Sequence, residues 1–130
     1  MVKTKNGLLI MPEFSEAFLK LMKMEMTVKE CLALSTVFEE IDSQIKIVNR
    51  TKMAVIEKYC QKDEGGKPVA DDKGNAIFDS QEIQHKCLED ISAIMNEDFE
   101  LHLENKVSIS GDIKMSPQEY TFLKDLIEVR

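Results

Sequence analysis

TVKECLALSTVFEEIDSQIKIVNRTKMAVIEKY, residues 27–59, is the stretch on which the fold turns. Within it Leu34, Phe38, Ile41, Ile45, Val48, Lys52, Val55 and Tyr59 fall alternately four and three residues apart, the spacing that lines one helix face in coiled-coil fashion. Only Lys52 breaks the apolar stripe. Thr27 and Glu30 occupy capping-box positions, where each side chain satisfies a backbone amide that a first helical turn leaves free. The helix is expected to stop at the polar, glycine-marked Lys62-Asp63-Glu64-Gly65-Gly66-Lys67.

A face of that length needs a partner. Beyond the polar break, Asp79-Ser80 supplies N-cap chemistry with Glu82 in the first turn. Ile83, Cys87, Leu88, Ile91, Ile94, Met95 and Phe99 then make one apolar helix face. Between the two helices, Lys67-Pro68-Val69-Ala70 and Ala76-Ile77-Phe78 flank a turn at Asp71–Asn75 in which Gly74 takes positive φ, which reads as a small β-hairpin. The expected fold is α+β and mainly α: a long antiparallel helical pair with the hairpin at its tip, and short N-terminal and C-terminal strands flanked by short helices.

Towards the N-terminus, Lys5-Asn6-Gly7 reads as a turn or strand edge and Leu8-Leu9-Ile10-Met11 as a short strand, stopped by Pro12 at the head of a helix carrying Phe14, Phe18, Leu21 and Met22. Towards the other end, Leu101, Leu103, Val107 and Ile109 alternate with polar residues before Gly111, an extended pattern that can pair with the N-terminal strand. Ser116-Pro117-Gln118-Glu119 is the strongest local signal, an N-cap serine, a proline at the first helical position and a reciprocal glutamate. The helix it opens is expected to carry Tyr120, Leu123, Leu126 and Ile127. No internal repeat, low-complexity tract or linker stands out, so residues 1–130 read as a single domain.

Bulk composition narrows the function classes. Seventeen Lys and Arg against 24 Asp and Glu give a formal net charge of −7, which opposes attraction to nucleic acid or anionic membrane. The acids are interleaved with lysines, which suits a solvated surface better than mimicry of a phosphate backbone. Charged residues at 32% and hydrophobic ones at 43% belong to a folded chain. Cys31, Cys60 and Cys87 are an odd count without close pairing, and no long apolar run follows a basic start, so reduced thiols in a cytoplasmic setting are expected. No apolar stretch approaches the roughly 20 residues that cross a bilayer.

The residues assemble no recognisable chemistry. His85 and Cys87 are two apart on a helix and face different ways, and neither CxxC nor HxxxH frames a zinc site that would draw in Cys31, Cys60 or His102. Asp63, Glu64, Asp71, Asp72 and Asn75 gather oxygens around glycines without the ligand alternation and closing glutamate of a calcium loop. Cys60 at a helix C-terminus is a poor nucleophile by position, and no GxxxxGK loop is present. The reading is therefore no enzyme, no metal and no cofactor. Met22, Met24 and Met26 precede the long helix; core filling at the helix junction is the favoured reading because Met22 continues an apolar face, and the alternative is an adaptable docking patch, for which Met24 and Met26 are the pair of interest.

Lys5-Asn6-Gly7-Leu8-Leu9, the run Glu57-Lys58-Tyr59-Cys60-Gln61-Lys62-Asp63-Glu64-Gly65-Gly66-Lys67, Asp72-Lys73-Gly74-Asn75 and the closing Ser116-Pro117-Gln118-Glu119-Tyr120 through Leu126-Ile127 together resemble a family of short, functionally uncharacterised phage and prophage proteins. The resemblance implies a bacteriophage origin, a gene near those for tail and lysis functions, and a non-enzymatic role in the host cell cytoplasm or the virion. On that footing the chain is expected to act by protein–protein contact, as a small virion or assembly component docking on other phage proteins or on copies of itself. The alternative is an intracellular effector that binds, inhibits or is sensed by a host protein such as a defence factor. Met24, Met26, Val55, Tyr59, Asp71 and Asp72 are the expected partner-binding residues, with no nucleic acid and no membrane as partner.

Overall fold

The structure is a computed structural model that describes residues 2–110 and 113–129. It is mixed α and β, mainly helical, with two small two-stranded sheets. Among the described residues five helices and four strands follow one another as β1 (Lys3–Lys5), α1 (Asn6–Leu9), α2 (Pro12–Met22), α3 (Val28–Tyr59), α4 (Gln81–Asn96), β2 (Asp98–Glu100), β3 (Val107–Ile109), α5 (Pro117–Leu123) and β4 (Ile127–Val129).

The long helix is present. Thr27 caps α3, its hydroxyl accepting from the Glu30 amide at 3.2 Å, and the 32 residues extend about 48 Å at 1.5 Å per residue. Ser80 caps α4 in the same way through the Ile83 amide, and Ser116 and Glu119 complete a capping box at the head of α5. Burial along α3 is uneven. Leu34, Val37 and Ile41 belong to the main core, with Leu9 of α1, Phe14, Phe18 and Leu21 of α2, Leu123 of α5, and Leu101, Ile109, Leu126 and Ile127. After Val48 no residue of α3 is buried, and Cys87 is the buried residue of α4.

Three expectations are corrected. Leu8-Leu9 is not strand: residues 6–9 form a single helical turn and the strand lies earlier, at Lys3–Lys5. A turn here drives Leu9 into the core and lets Asn6 donate to the Ile94 carbonyl while accepting from Gln44, both at 3.0 Å. Gly7 makes this possible by close approach, since a Cβ on it would lie 3.1 Å from the Met95 Cβ. Phe99 leaves the α4 face because the chain turns extended at Glu97, and it sits in β2, antiparallel to β1 with Thr4 opposite it.

The last helix is also shorter than its apolar spacing suggests. It ends at Leu123, a turn closes from the Leu126 amide to the Leu123 carbonyl, and Ile127 enters β4, parallel to β3 with Val107 opposite Ile127. Parallel pairing requires a crossover, and α5 supplies it. The extended segment does not pair with a strand at Leu8–Met11: residues 98–103 lie along residues 2–5, where Leu101 donates to Val2 and Val2 to Leu103, and Val107–Ile109 pairs with β4 instead.

The segment between α3 and α4 makes isolated bridges at Lys62–Pro68 and Ala70–Ala76 and no ladder strand. It contains a short repeat that periodicity alone does not reveal. Asp63 Oδ1 accepts from the amides of Gly65 and Lys67, and eight residues later Asp71 Oδ1 accepts from those of Lys73 and Asn75, every distance 2.9 Å. Gly66 and Gly74 hold matching φ values of +79° and +83°. Each aspartate nucleates one turn and each glycine supplies the left-handed residue that closes it.

Candidate functional site

Two concave surfaces share one flank of α3. Near its middle, α2 leaves an apolar groove of about 180 Å³ lined by Phe14, Phe18, Leu19, Phe38, Ile41 and Ile45, with Asp42 at the rim. Its floor is an aromatic row: Phe14 and Phe18 stack at 6.0 Å, Phe18 and Phe38 at 5.9 Å. Further along, Lys52 and Ile56 of α3 face Cys87, Leu88 and Ile91 of α4 across a crevice of about 610 Å³, with Asp71, Asn75 and Phe78 closing it from the turn segment. Leu19 is 49% exposed, Met53 55% and Leu88 55%. These are large apolar groups that the fold leaves facing water.

A third concavity, about 630 Å³, lies where α3 begins and has Glu30, Leu103, Lys106, Val107 and Ser110 in its wall. The Glu30 carboxylate is fully engaged there. The Thr27 hydroxyl, then the Ser110 amide and hydroxyl, hold it below the ordinary carboxyl value of 4.5 against the opposing effect of burial. An acid so held stays ionised and structural. The other shifted groups are similarly occupied. Burial first, then the charges of Asp90 and Cys60, push the Cys87 thiol up, which keeps it protonated and weakly nucleophilic. Tyr59 donates to Asp90 at 2.7 Å, and that bond raises its phenol above 10. Glu119 is held below 4.5 by the Ser116 amide and then by Lys20, which ties α5 to α2 at 3.0 Å.

His85 pairs with Glu89 on the exposed side of α4, away from the buried Cys87, and His102 lies 3.5 Å from Glu40. Among the described residues no three His, Cys, Asp or Glu side chains converge as a metal would need. Also among them, no helix is long and apolar enough to cross a membrane.

The expected partner-binding residues are scattered. Met24 and Met26 are half-buried and pack against the main core. Val55 and Tyr59 are half-buried along α3, with Tyr59 tied to Asp90. Asp71 forms its turn at the edge of the crevice, and Asp72 is exposed beside it. Of the six, only Asp71 lines either of the two surfaces on the α3 flank. Of the α3 residues that line them, Phe38, Asp42, Ile45, Lys52 and Ile56 carry one sequence signal: with Asn49 they keep a four-three spacing that shares Phe38, Ile45 and Lys52 with the apolar stripe and departs from it at Asp42, Asn49 and Ile56. A search for unbroken apolar faces passes over it, because three of the six are polar. No protein-family model, no curated protein and no solved structure matches the chain.

Proposed function

We propose that this chain is a non-enzymatic bacteriophage protein that works by protein–protein contact, as a small component of the virion or of its assembly. The phage setting rests on the sequence resemblance. The observation that carries the mode of action is the unevenly covered long helix: after Val48 nothing on α3 is buried, while Phe38 and Leu88, which line the two concave surfaces, stand 37% and 55% exposed. Apolar groups left in water around grooves are the raw material of an interface core. In this reading α3 and α4 act as an antiparallel pair, an arm with the two aspartate turns at its tip, and a partner covers the flank that the fold leaves open.

Quantitative mass spectrometry of purified virions tests the reading. The expected result is the chain at stoichiometric copy number. Its absence from particles, together with abundant expression in infected cells, would replace this role with the host-directed effector. The net charge of −7 gives that second reading its own signature, binding to a host protein that weakens as salt rises.

A further inference from the structure

The open flank of α3 is matched to itself. Phe38, Asp42, Ile45, Asn49, Lys52 and Ile56 follow one another at intervals of four, three, four, three and four, a helical seam in its own right. It is displaced to one side of the buried line Leu34, Val37, Ile41 and Val48. The structure leaves these six positions partly or wholly accessible: Phe38 and Asn49 are exposed and the other four half-buried. Lys52, the residue that breaks the apolar stripe, forms no ion pair among the described residues.

We propose that this seam is a homodimer interface in which α3 packs antiparallel against α3 of a second copy, with the two-fold axis level with residue 47. This rests on the interaction reading above and names the partner. Phe38 and Ile56 lie nine residues either side of that level, Asp42 and Lys52 five, Ile45 and Asn49 two. The two-fold therefore sets Phe38 of each copy on Ile56 of the other and Asp42 on Lys52, each contact made twice. Antiparallel seams bring opposite positions of the heptad into one layer, which is how these three pairs fall.

Charge selects the arrangement. A parallel seam in register would set Asp42 on Asp42 and Lys52 on Lys52. Sliding the antiparallel seam by one heptad sets Asp42 on Ile45 in one direction and Lys52 on Asn49 in the other, each leaving both charges without a counterion across the seam. Only the register centred at 47 pairs both. Asp42 also meets Lys46 on its own helix at 3.1 Å, but 70% of the Lys46 side chain is exposed, so that contact is screened and leaves Asp42 available. Asn49 near the centre adds the polar layer that commonly specifies register in helical seams. The same register carries the α4 side of the crevice, with exposed Leu88, towards the aromatic groove of the other copy.

Sedimentation equilibrium of the full chain, wild type against Asp42→Lys, Lys52→Asp and the double reversal, tests the seam. The wild type is expected to dimerise, and each single reversal to weaken the dimer about tenfold or more by creating two like-charge contacts. The double reversal restores opposite pairing and should return within about threefold of wild type. Ile47, 51% exposed and on the opposite side of α3, is the control, and Ile47→Ser should leave the dimer unchanged. Circular dichroism melting confirms that each variant is folded. A chain that is monomeric at every concentration, single reversals without effect, a double reversal as weak as either single one, or a loss on Ile47→Ser would each overturn the proposal. A monomer still found stoichiometrically in virions would remove self-association alone, whereas a dimer with the expected charge pattern but absent from virions would uphold the seam and remove the virion role.

Discussion

Glu30 and Ser110, eighty residues apart, are joined by two hydrogen bonds: the Ser110 amide donates to Glu30 Oε2 and its hydroxyl to Oε1, both at 3.2 Å. Glu30 is only 6% exposed, and its carboxylate also receives the Thr27 hydroxyl at 2.9 Å. One side chain thus ties Thr27, the N-cap residue of the long helix, to the end of β3. Ten residues on, Glu40 repeats the arrangement by accepting from the His102 amide at 3.1 Å, so α3 grips the 101–110 segment at both ends.

Because the folded protein holds the Glu30 carboxyl below 4.5, the unfolded chain binds that proton more readily. The stabilisation is therefore complete above the ordinary carboxyl value and is lost as pH falls through the lower folded one. Glu30→Gln should melt at a lower temperature than wild type at neutral pH, and the gap should close in acid below 4.5. Thermal melts across that range check it; identical melting at neutral pH would refute the clasp.

Two residues of the apolar stripe should separate by depth. Ile41 is 2% exposed within the main core, and Ile41→Ala should cost about 2–5 kcal/mol through lost burial and the cavity left behind. Ile45 is half-buried at the groove, where an introduced charge keeps access to water. Ile45→Asp should therefore destabilise the fold less than Ile41→Asp does, as chemical denaturation of the two variants will show.

The paired turns make matching predictions. Gly66 and Gly74 hold φ of +79° and +83°, and a Cβ at either position would have no heavy atom within 4 Å, so an alanine meets conformational strain and no clash. Gly66→Ala and Gly74→Ala should each cost roughly 1–2 kcal/mol. Denaturant midpoints that differ widely between the two would show that the turns are not equivalent in energy.

Ser116 caps α5 through the Glu119 amide at 3.1 Å, and Glu119 reaches back to the Ser116 amide at 2.9 Å. Ser116→Ala should cost about 1 kcal/mol in equilibrium unfolding. Threonine at the same position retains the oxygen and should recover most of it.

Local chemistry was legible wherever a side chain acts on its own neighbours. Thr27, Ser80 and Ser116 begin their helices where capping chemistry puts them, and the 4–3 spacing from Leu34 to Tyr59 marks one long helix, because caps and periodicity concern residues within a few positions of one another. The turn glycine at position 74 has the positive φ that its surroundings require. Where competing states were close in energy, only tertiary contacts chose between them. Residues 6–9 became a helical turn because Asn6 finds Gln44 and Ile94 and Gly7 admits Met95, partners that lie 38 to 88 residues away. Ile127 left its helix because β3 offered a strand to pair with. The candidate site was the least legible part. Phe38, Ile45 and Lys52 share a stripe with Ile41 and Val48, and nothing in their order says which of them α1, α2 and α4 will cover. Periodicity assigns residues to a helix face; how much of that face stays open depends on where the other helices pack, and that is decided by contacts between segments far apart in the chain.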